Sequence, residues 1–216
     1  MRTALKIVAT IVLAVVALLA LCVWWVARDD VARLRALSAR HSAPVAPVMR
    51  SAIVASGDYV IERPRWSFGA FRALKSNVVS CGPALIAYPL VRKSRRAWRH
   101  HVASAIETYV VTRVFEPEEL LRIYAHTIYL GRDGKRDILG IEDASRTYFA
   151  KPARELTPAE AATLAAIIRS PNVYRRDPVR LLRRRNHVLH QMKLTPPERE
   201  RALAEPVAQF VFPRRS

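Results

Sequence analysis

Gly140-Ile141-Glu142-Asp143-Ala144-Ser145-Arg146-Thr147-Tyr148-Phe149-Ala150-Lys151-Pro152, then Leu156-Thr157-Pro158-Ala159-Glu160-Ala161-Ala162-Thr163-Leu164-Ala165-Ala166, then Ser170-Pro171-Asn172-Val173-Tyr174, is the stretch that decides the fold of this chain. Thr157-Pro158-Ala159-Glu160 reads as a capping box with proline at the first helical position, where a missing N–H costs nothing. Pro171 ends the helix opened there. The same punctuation recurs along the chain. Glu116-Pro117-Glu118-Glu119 puts acid and proline at a helix start, with Leu120, Tyr124 and Ile128 on one face and Gly131 as its close. Asp177-Pro178 starts another helix, and Thr195-Pro196-Pro197-Glu198 repeats the box. Ala97 to Val114 is a further helix, with Val102, Ile106, Tyr109 and Arg113-Val114 near one stripe. No alternating run is long enough to argue for a sheet. The expected class is mainly α.

At 216 residues the chain accommodates one anchor and one domain with a real core. Lys and Arg number 36 against 18 Asp and Glu, a net charge of +18. Such an excess calls for a polyanionic partner: nucleic acid, anionic lipid or a phosphate-bearing ligand. No helix-turn-helix spacing, zinc pattern or aromatic RNA-binding motif accompanies it, so nucleic acid is not the expected partner. The two cysteines, Cys22 in an apolar run and Cys81 alone outside it, exclude a disulfide framework in the soluble part.

Ile7 to Ala27 carries no charge, and its 21 residues make a helix of roughly 31 Å, enough to cross a bilayer core. Arg2 and Lys6 precede it, and Trp24 and Trp25 suit an interfacial belt. The run is too long for a cleaved signal peptide, and Trp25-Val26-Ala27 is a poor cleavage site. The expected organisation is a transmembrane anchor over 1–27, a basic juxtamembrane stalk over 28–48 and one domain over 49–216. In the stalk, Val31, Leu34 and Leu37 recur at helical spacing between arginines. That pattern suits either a helix on anionic headgroups or a solvated connector. Arg28, Arg33, Arg35 and Arg40 outnumber the basic residues before the span, so charge counting alone favours a cytoplasmic domain.

The Gly140 to Tyr174 stretch resembles the C-terminal signature of the peptidoglycan glycosyltransferases of family 51, the transglycosylase modules of class A penicillin-binding proteins and their single-domain relatives. The family pattern runs G-x-x-x-A-A-x-x-Y-F-G-K, then L-T-x-x-E-A-A-x-L-A, then P-x-x-Y. The resemblance covers about Met49 to Met192, including the arginine-rich segment of Arg180, Arg183, Arg184 and Arg185. It implies a lysozyme-like helical glycosyltransferase domain behind one N-terminal transmembrane helix. It further implies the bacterial inner membrane as location, with the domain on the periplasmic side. Lipid II and lipid-linked glycan are the implied ligands, with anionic membrane lipids and other cell-wall synthesis proteins as further partners. No cofactor is expected beyond a divalent metal that the resemblance allows, and no ligand cluster for one is visible.

A polymerase of lipid-linked sugars needs a carboxylate to take a proton from the acceptor hydroxyl, and cations to stabilise the departing pyrophosphate. Here the chain departs from the family pattern. Ala52-Ile53-Val54-Ala55-Ser56 leads into Gly57-Asp58, placing Gly57 where the family's catalytic glutamate stands. Asp58 and Glu62, at i and i+4, are the substitute base candidates; ordinary surface acids would look the same. The second motif falls on Gly82 to Lys93 and loses its hydroxyls and amides, while Arg92 and Lys93 keep the charge. Arg92 can make forked bonds to phosphate. The third motif lands on His100 to Ser104: His100 and His101 replace cations, and Ser104 replaces the second glutamate. Glu107 follows one helical turn on. Adjacent histidines on a helix point to different faces and make a poor metal pair, though either can titrate near neutral pH. In the fourth motif, Leu120 to His126, Arg122 and His126 replace an acid and an amide.

Two functions of different class follow. One is a lipid II polymerase using Asp58 or Glu62 as base and Arg92 with Lys93 at the pyrophosphate. The other is a non-catalytic relative that binds lipid II, glycan or a synthesis partner, favoured by the loss of both glutamates.

Overall fold

The computed structural model of the chain describes residues 2–57, 110–111, 113–134, 136–174 and 176–206. In chain order its elements are α1 (Arg2–Arg40), α2 (Pro47–Ala55), α3 (Pro117–Thr127), β1 (Tyr129–Asp133), β2 (Arg136–Leu139) and α4 (Ile141–Phe149). A 3-10 turn (Ala153–Glu155) then leads to α5 (Pro158–Ile168), the one-turn α6 (Pro171–Tyr174), α7 (Pro178–Gln191) and α8 (Pro196–Ala204). The mainly α class is as expected.

The helix opened by the capping box is the axis of the core. Thr157 Oγ1 accepts from Glu160 N at 3.2 Å, and Glu160 Oε2 accepts from Thr157 N at 2.7 Å. Every residue from Ala159 to Ile168 is buried, as expected of a helix that is apolar all round. Its alanines let neighbours approach closely. α2 and α7 pack against it, joined by α4, α6, α8 and β1. Glu160, itself buried, ion-pairs with Lys151 Nζ at 2.6 Å, so its charge is compensated where solvent is scarce. α7 starts at Asp177, whose Oδ1 accepts from Arg180 N at 2.9 Å. α8 starts at Thr195, whose N–H donates to Glu198 Oε2 at 2.8 Å. Arg185 of α7 is buried against the end of α8. It donates to the carbonyls of Glu205 at 2.7 Å and Leu203 at 3.2 Å, which clasps α8 to the core. Burial pushes its guanidinium below the ordinary arginine value, partly offset by Glu205.

Two expectations need correction. Gly131 does not close α3, and a sheet is present. α3 stops at Thr127, whose hydroxyl bonds back to Ile123 O at 2.8 Å while Ile128 turns extended. Gly131 then lies in an antiparallel hairpin opposite Ile138, with Arg132 opposite Asp137 and Asp133 opposite Arg136. The strands are short, and an irregularity between Tyr129 and Gly131 breaks their alternation. Leu130 and Ile138 are the fully buried large side chains of the pair. Asp133-Gly134, with Gly134 at φ +55, was the available signal, since such a dipeptide suits a tight hairpin turn.

α1 runs unbroken from the apolar segment into the residues read as a stalk. Lys6 to Trp25 is long and apolar enough to cross a membrane and is unburied in the fold. Beyond it, the Val31, Leu34, Leu37 stripe packs on the domain core. Leu34 is 1% exposed within the domain core, and Val31 and Leu37 pack partly buried beside it. The partner element is α3. Ser38 donates to the Glu119 carboxylate and accepts from Arg122 Nη2 at 3.2 Å. A connection through His41 to Ala46 then delivers the chain to α2, with Pro47 at its first position.

Candidate functional site

α2 aims the chain at the segment where sequence places the chemistry. Its inner face, Met49, Ala52 and Ile53, is fully buried. Its end is tied twice: Ser56 Oγ donates to Ile53 O at 2.7 Å, and Ser56 O accepts from Arg184 Nη2 of α7 at 2.7 Å. Gly57 follows, exposed, at φ +72, with open space where a Cβ would stand. This left-handed backbone suits glycine and strains other residues. The residue that the sequence pattern sets against the family's glutamate is thus a glycine lying just past a helix end.

The substitute bases Asp58 and Glu62, the cations Arg92 and Lys93, the pair His100 and His101, and Ser104 and Glu107 all lie outside the described residues. The chain is described again from Val110, after which Val111 and Phe115 bury themselves and Phe115 N bonds to Val111 O at 3.0 Å. Both ends of the segment that carries the candidate residues are therefore seated in the core.

Arg122 and His126, the replacements in the fourth motif, face the anchor-side helix. Arg122 reaches Ser38, and the His126 ring stacks on His41 with centroids 4.5 Å apart and planes 14° from parallel. Arg122 Nε is buried with no hydrogen-bond partner among the described residues. Burial first, then the neighbouring His41, holds His126 below the ordinary histidine value. A backbone hydrogen bond with Ala43 opposes this, Arg122 lowers it further and Glu142 raises it. Sequence reasoning missed this joint. The signal was the continuation of the Val31, Leu34, Leu37 stripe into Ser38 and His41 on the same side of the helix.

The signature residues build the frame. Gly140 sits at φ +80 with its N–H on Ile128 O at 2.8 Å, and a Cβ there would lie 2.5 Å from the His126 carbonyl oxygen. Buried Tyr148 donates its hydroxyl to Leu130 O at 2.9 Å, pinning α4 to the hairpin. Buried Ser145 donates to Lys151 O at 2.7 Å. Glu142 Oε2 accepts from Ala153 N at 3.0 Å. Ala150, at the position where the family pattern has glycine, is left-handed at φ +58. These groups fix where elements sit, and none is arranged as a nucleophile with its base. Among the described residues no three His, Cys, Asp or Glu side chains gather to hold a metal ion, so they offer no ligand set for a divalent cation.

Comparison with known proteins gives a consistent match. The model of the family described as Transglycosylase matches residues 70–193. The chain is 28% identical over 185 residues to penicillin-binding protein 1A of Neisseria gonorrhoeae, covering 78% of the chain and 23% of that protein. It is 32% identical over 137 residues to penicillin-binding protein 1A of Mycobacterium tuberculosis, covering 57% of the chain and 16% of that protein. The same figure of 32%, over 128 residues, holds for penicillin-binding protein 1A of Aquifex aeolicus, of which 17% is covered. The chain thus spans less than a quarter of the length of these relatives.

Proposed function

The chain belongs to the transglycosylase family, whose domain is helical and lysozyme-like, and from that premise we propose that it is a membrane-anchored protein of peptidoglycan synthesis that takes lipid II or a nascent glycan strand as its ligand. The observation that carries this reading is the union of two features in one chain. A family match over 70–193 sits behind a helix of bilayer-crossing length that packs directly onto the matched domain. Substrates with lipid tails require an enzyme held at the membrane. The reading places 1–27 as the anchor, 28–48 as the juxtamembrane segment and 49–216 as the domain, on the periplasmic side of the bacterial inner membrane. Anionic lipids would meet the arginines after the span, and other cell-wall synthesis proteins are natural partners.

As a glycosyltransferase the protein works by inversion. The acceptor sugar hydroxyl attacks the anomeric carbon of the lipid-linked donor, and the bond to the pyrophosphate oxygen breaks. The hydroxyl proton goes to a carboxylate, for which Asp58 and Glu62 are the candidates. Arg92 and Lys93 stabilise the departing pyrophosphate, with His100, His101 and Glu107 as the further substrate-binding candidates.

A specific observation favours a second reading, that of a binding relative without turnover. Gly57 has no ionisable group, and its left-handed backbone is one that a glutamate adopts only with strain. Incubating the full-length protein with labelled lipid II and resolving glycan chains on a gel separates the two. Chains that vanish in Asp58→Ala or Glu62→Ala support the enzyme. Absence of chains, with lipid II retained in a pull-down that Arg92→Ala weakens, supports the binder. Neither chains nor retention would refute both.

A further inference from the structure

The end of α1 is bound to the domain by a set of contacts that differ in their sensitivity to protons. Leu34 and its flanking stripe supply an apolar contact indifferent to pH. Ser38 sits between Glu119 and Arg122. Immediately beyond, where the chain leaves α1, His41 stacks face to face on His126 of α3. Two neutral imidazoles stack favourably at this distance. Two imidazolium rings at the same distance repel, in a setting less screened than water.

The surroundings add to that repulsion. Arg122 lies one helical turn before His126, and its Nε is buried without a partner among the described residues. From α4, Glu142 is the acid that faces the pair, but its oxygens already serve Arg146 and the Ala153 N–H. From the α1–α2 connection come His41 itself and the backbone of Ala43. The backbone of Gly140, which leads into α4, presses on the His126 carbonyl and leaves α3 no room to yield on that side. The side that can yield is the connection carrying His41.

We propose that the stacked His41–His126 pair is an acid-sensitive catch that holds the end of the anchor-side helix on the domain and lets it go when both rings become charged. The linkage has a definite sign. His126 titrates below the ordinary histidine value in the docked state. Docking is therefore at full strength above the ordinary value and weakens as pH falls through it toward the lowered one. Release frees the connection that leads into α2, and α2 ends at Ala55, two residues before Gly57, after which the chain enters the segment with the candidate bases. The catch works the same way whether or not the chain turns over lipid II.

The test is hydrogen exchange of the full-length protein in lipid nanodiscs, from about pH 8 to about pH 5, with rates corrected for intrinsic pH dependence using an unstructured peptide. Amides of residues 34–46 are expected to lose protection several-fold at the acid end while those of α5 stay protected. His126→Gln and His41→Gln should both abolish this response. His41→Lys, a fixed charge, should keep the segment protected at the alkaline end, where His126 is neutral, and lose protection at the acid end as His126 alone becomes charged. If His126→Gln loses protection in α5 as well, it has unfolded, and the two His41 variants decide. An unchanged acid response in His41→Gln, or the absence of any acid response in His41→Lys, would overturn the proposal.

Discussion

Gly140 lies against His126 so closely that the carbonyl oxygen of His126 occupies the space of a Cβ, 2.5 Å from where that atom would stand. The same glycine is left-handed and closes the hairpin onto Ile128. Gly140→Ala must therefore both strain the backbone and push the end of α3 away. The expected cost is about 2–5 kcal/mol, combining left-handed strain with overpacking against backbone. Thermal unfolding of the full-length protein in detergent would read it. A loss of only about 1–2 kcal/mol, the strain alone, would mean that the approach to His126 is looser than the structure has it.

Ala150 presents the opposite case. Its left-handed backbone at φ +58 costs energy for any residue with a Cβ, and its side chain is exposed. Ala150→Gly removes that strain and forfeits no packing. We expect a net stabilisation of about 1 kcal/mol, since relief of the strain exceeds the entropy that glycine returns to the unfolded chain. A destabilised variant would contradict the left-handed assignment.

Leu34 tests whether the end of α1 belongs to the domain core. At 1% exposure it should behave like any core leucine, and Leu34→Ala should cost about 2–5 kcal/mol. The measurement is unfolding monitored at a probe on α5 or α7, distant in sequence from the substitution. Indifference of that probe would show the helix end to be an appendage that merely lies alongside.

Gly57 allows strain to be separated from crowding. Among the described residues nothing stands within 4 Å of its absent Cβ, so Gly57→Ala and Gly57→Glu should lose stability equally. Each loss should be about 1 kcal/mol. A clearly larger loss for glutamate would reveal that the position is enclosed by groups from the neighbouring segment.

The parts of this fold that were legible in the sequence are those written locally. Thr157 with Glu160 and Asp177 with Arg180 are three residues apart, and each pair makes the bond its spacing suggests. The hairpin was not legible by periodicity, because Gly131 interrupts an alternation already only five residues long. The docking of α1 was half legible. The stripe of Val31, Leu34 and Leu37 announced a buried face but not what buries it, since the partners lie on α3, 84 residues on in the case of Ser38 and Arg122. The same distance hid the purpose of Arg122 and His126, which a motif comparison could register only as departures. For the candidate site, the sequence named Asp58, Glu62, Arg92 and Lys93 by type and spacing. The described residues show how Ser56 and Phe115 seat the two ends of that segment.

The unbroken course of α1 has a mechanical consequence. A helix of 39 residues is about 58 Å long. On the proposed reading of its apolar segment as a membrane anchor, with its far end inside the domain, it is a mast and not a tether. A flexible leash would let the domain sample a hemisphere of positions above its point of insertion. A mast confines it to one height and leaves rotation about the insertion axis as its chief freedom. Any ligand the domain takes from the bilayer must then come to it by lateral diffusion, at one fixed depth and within a narrow ring around the anchor.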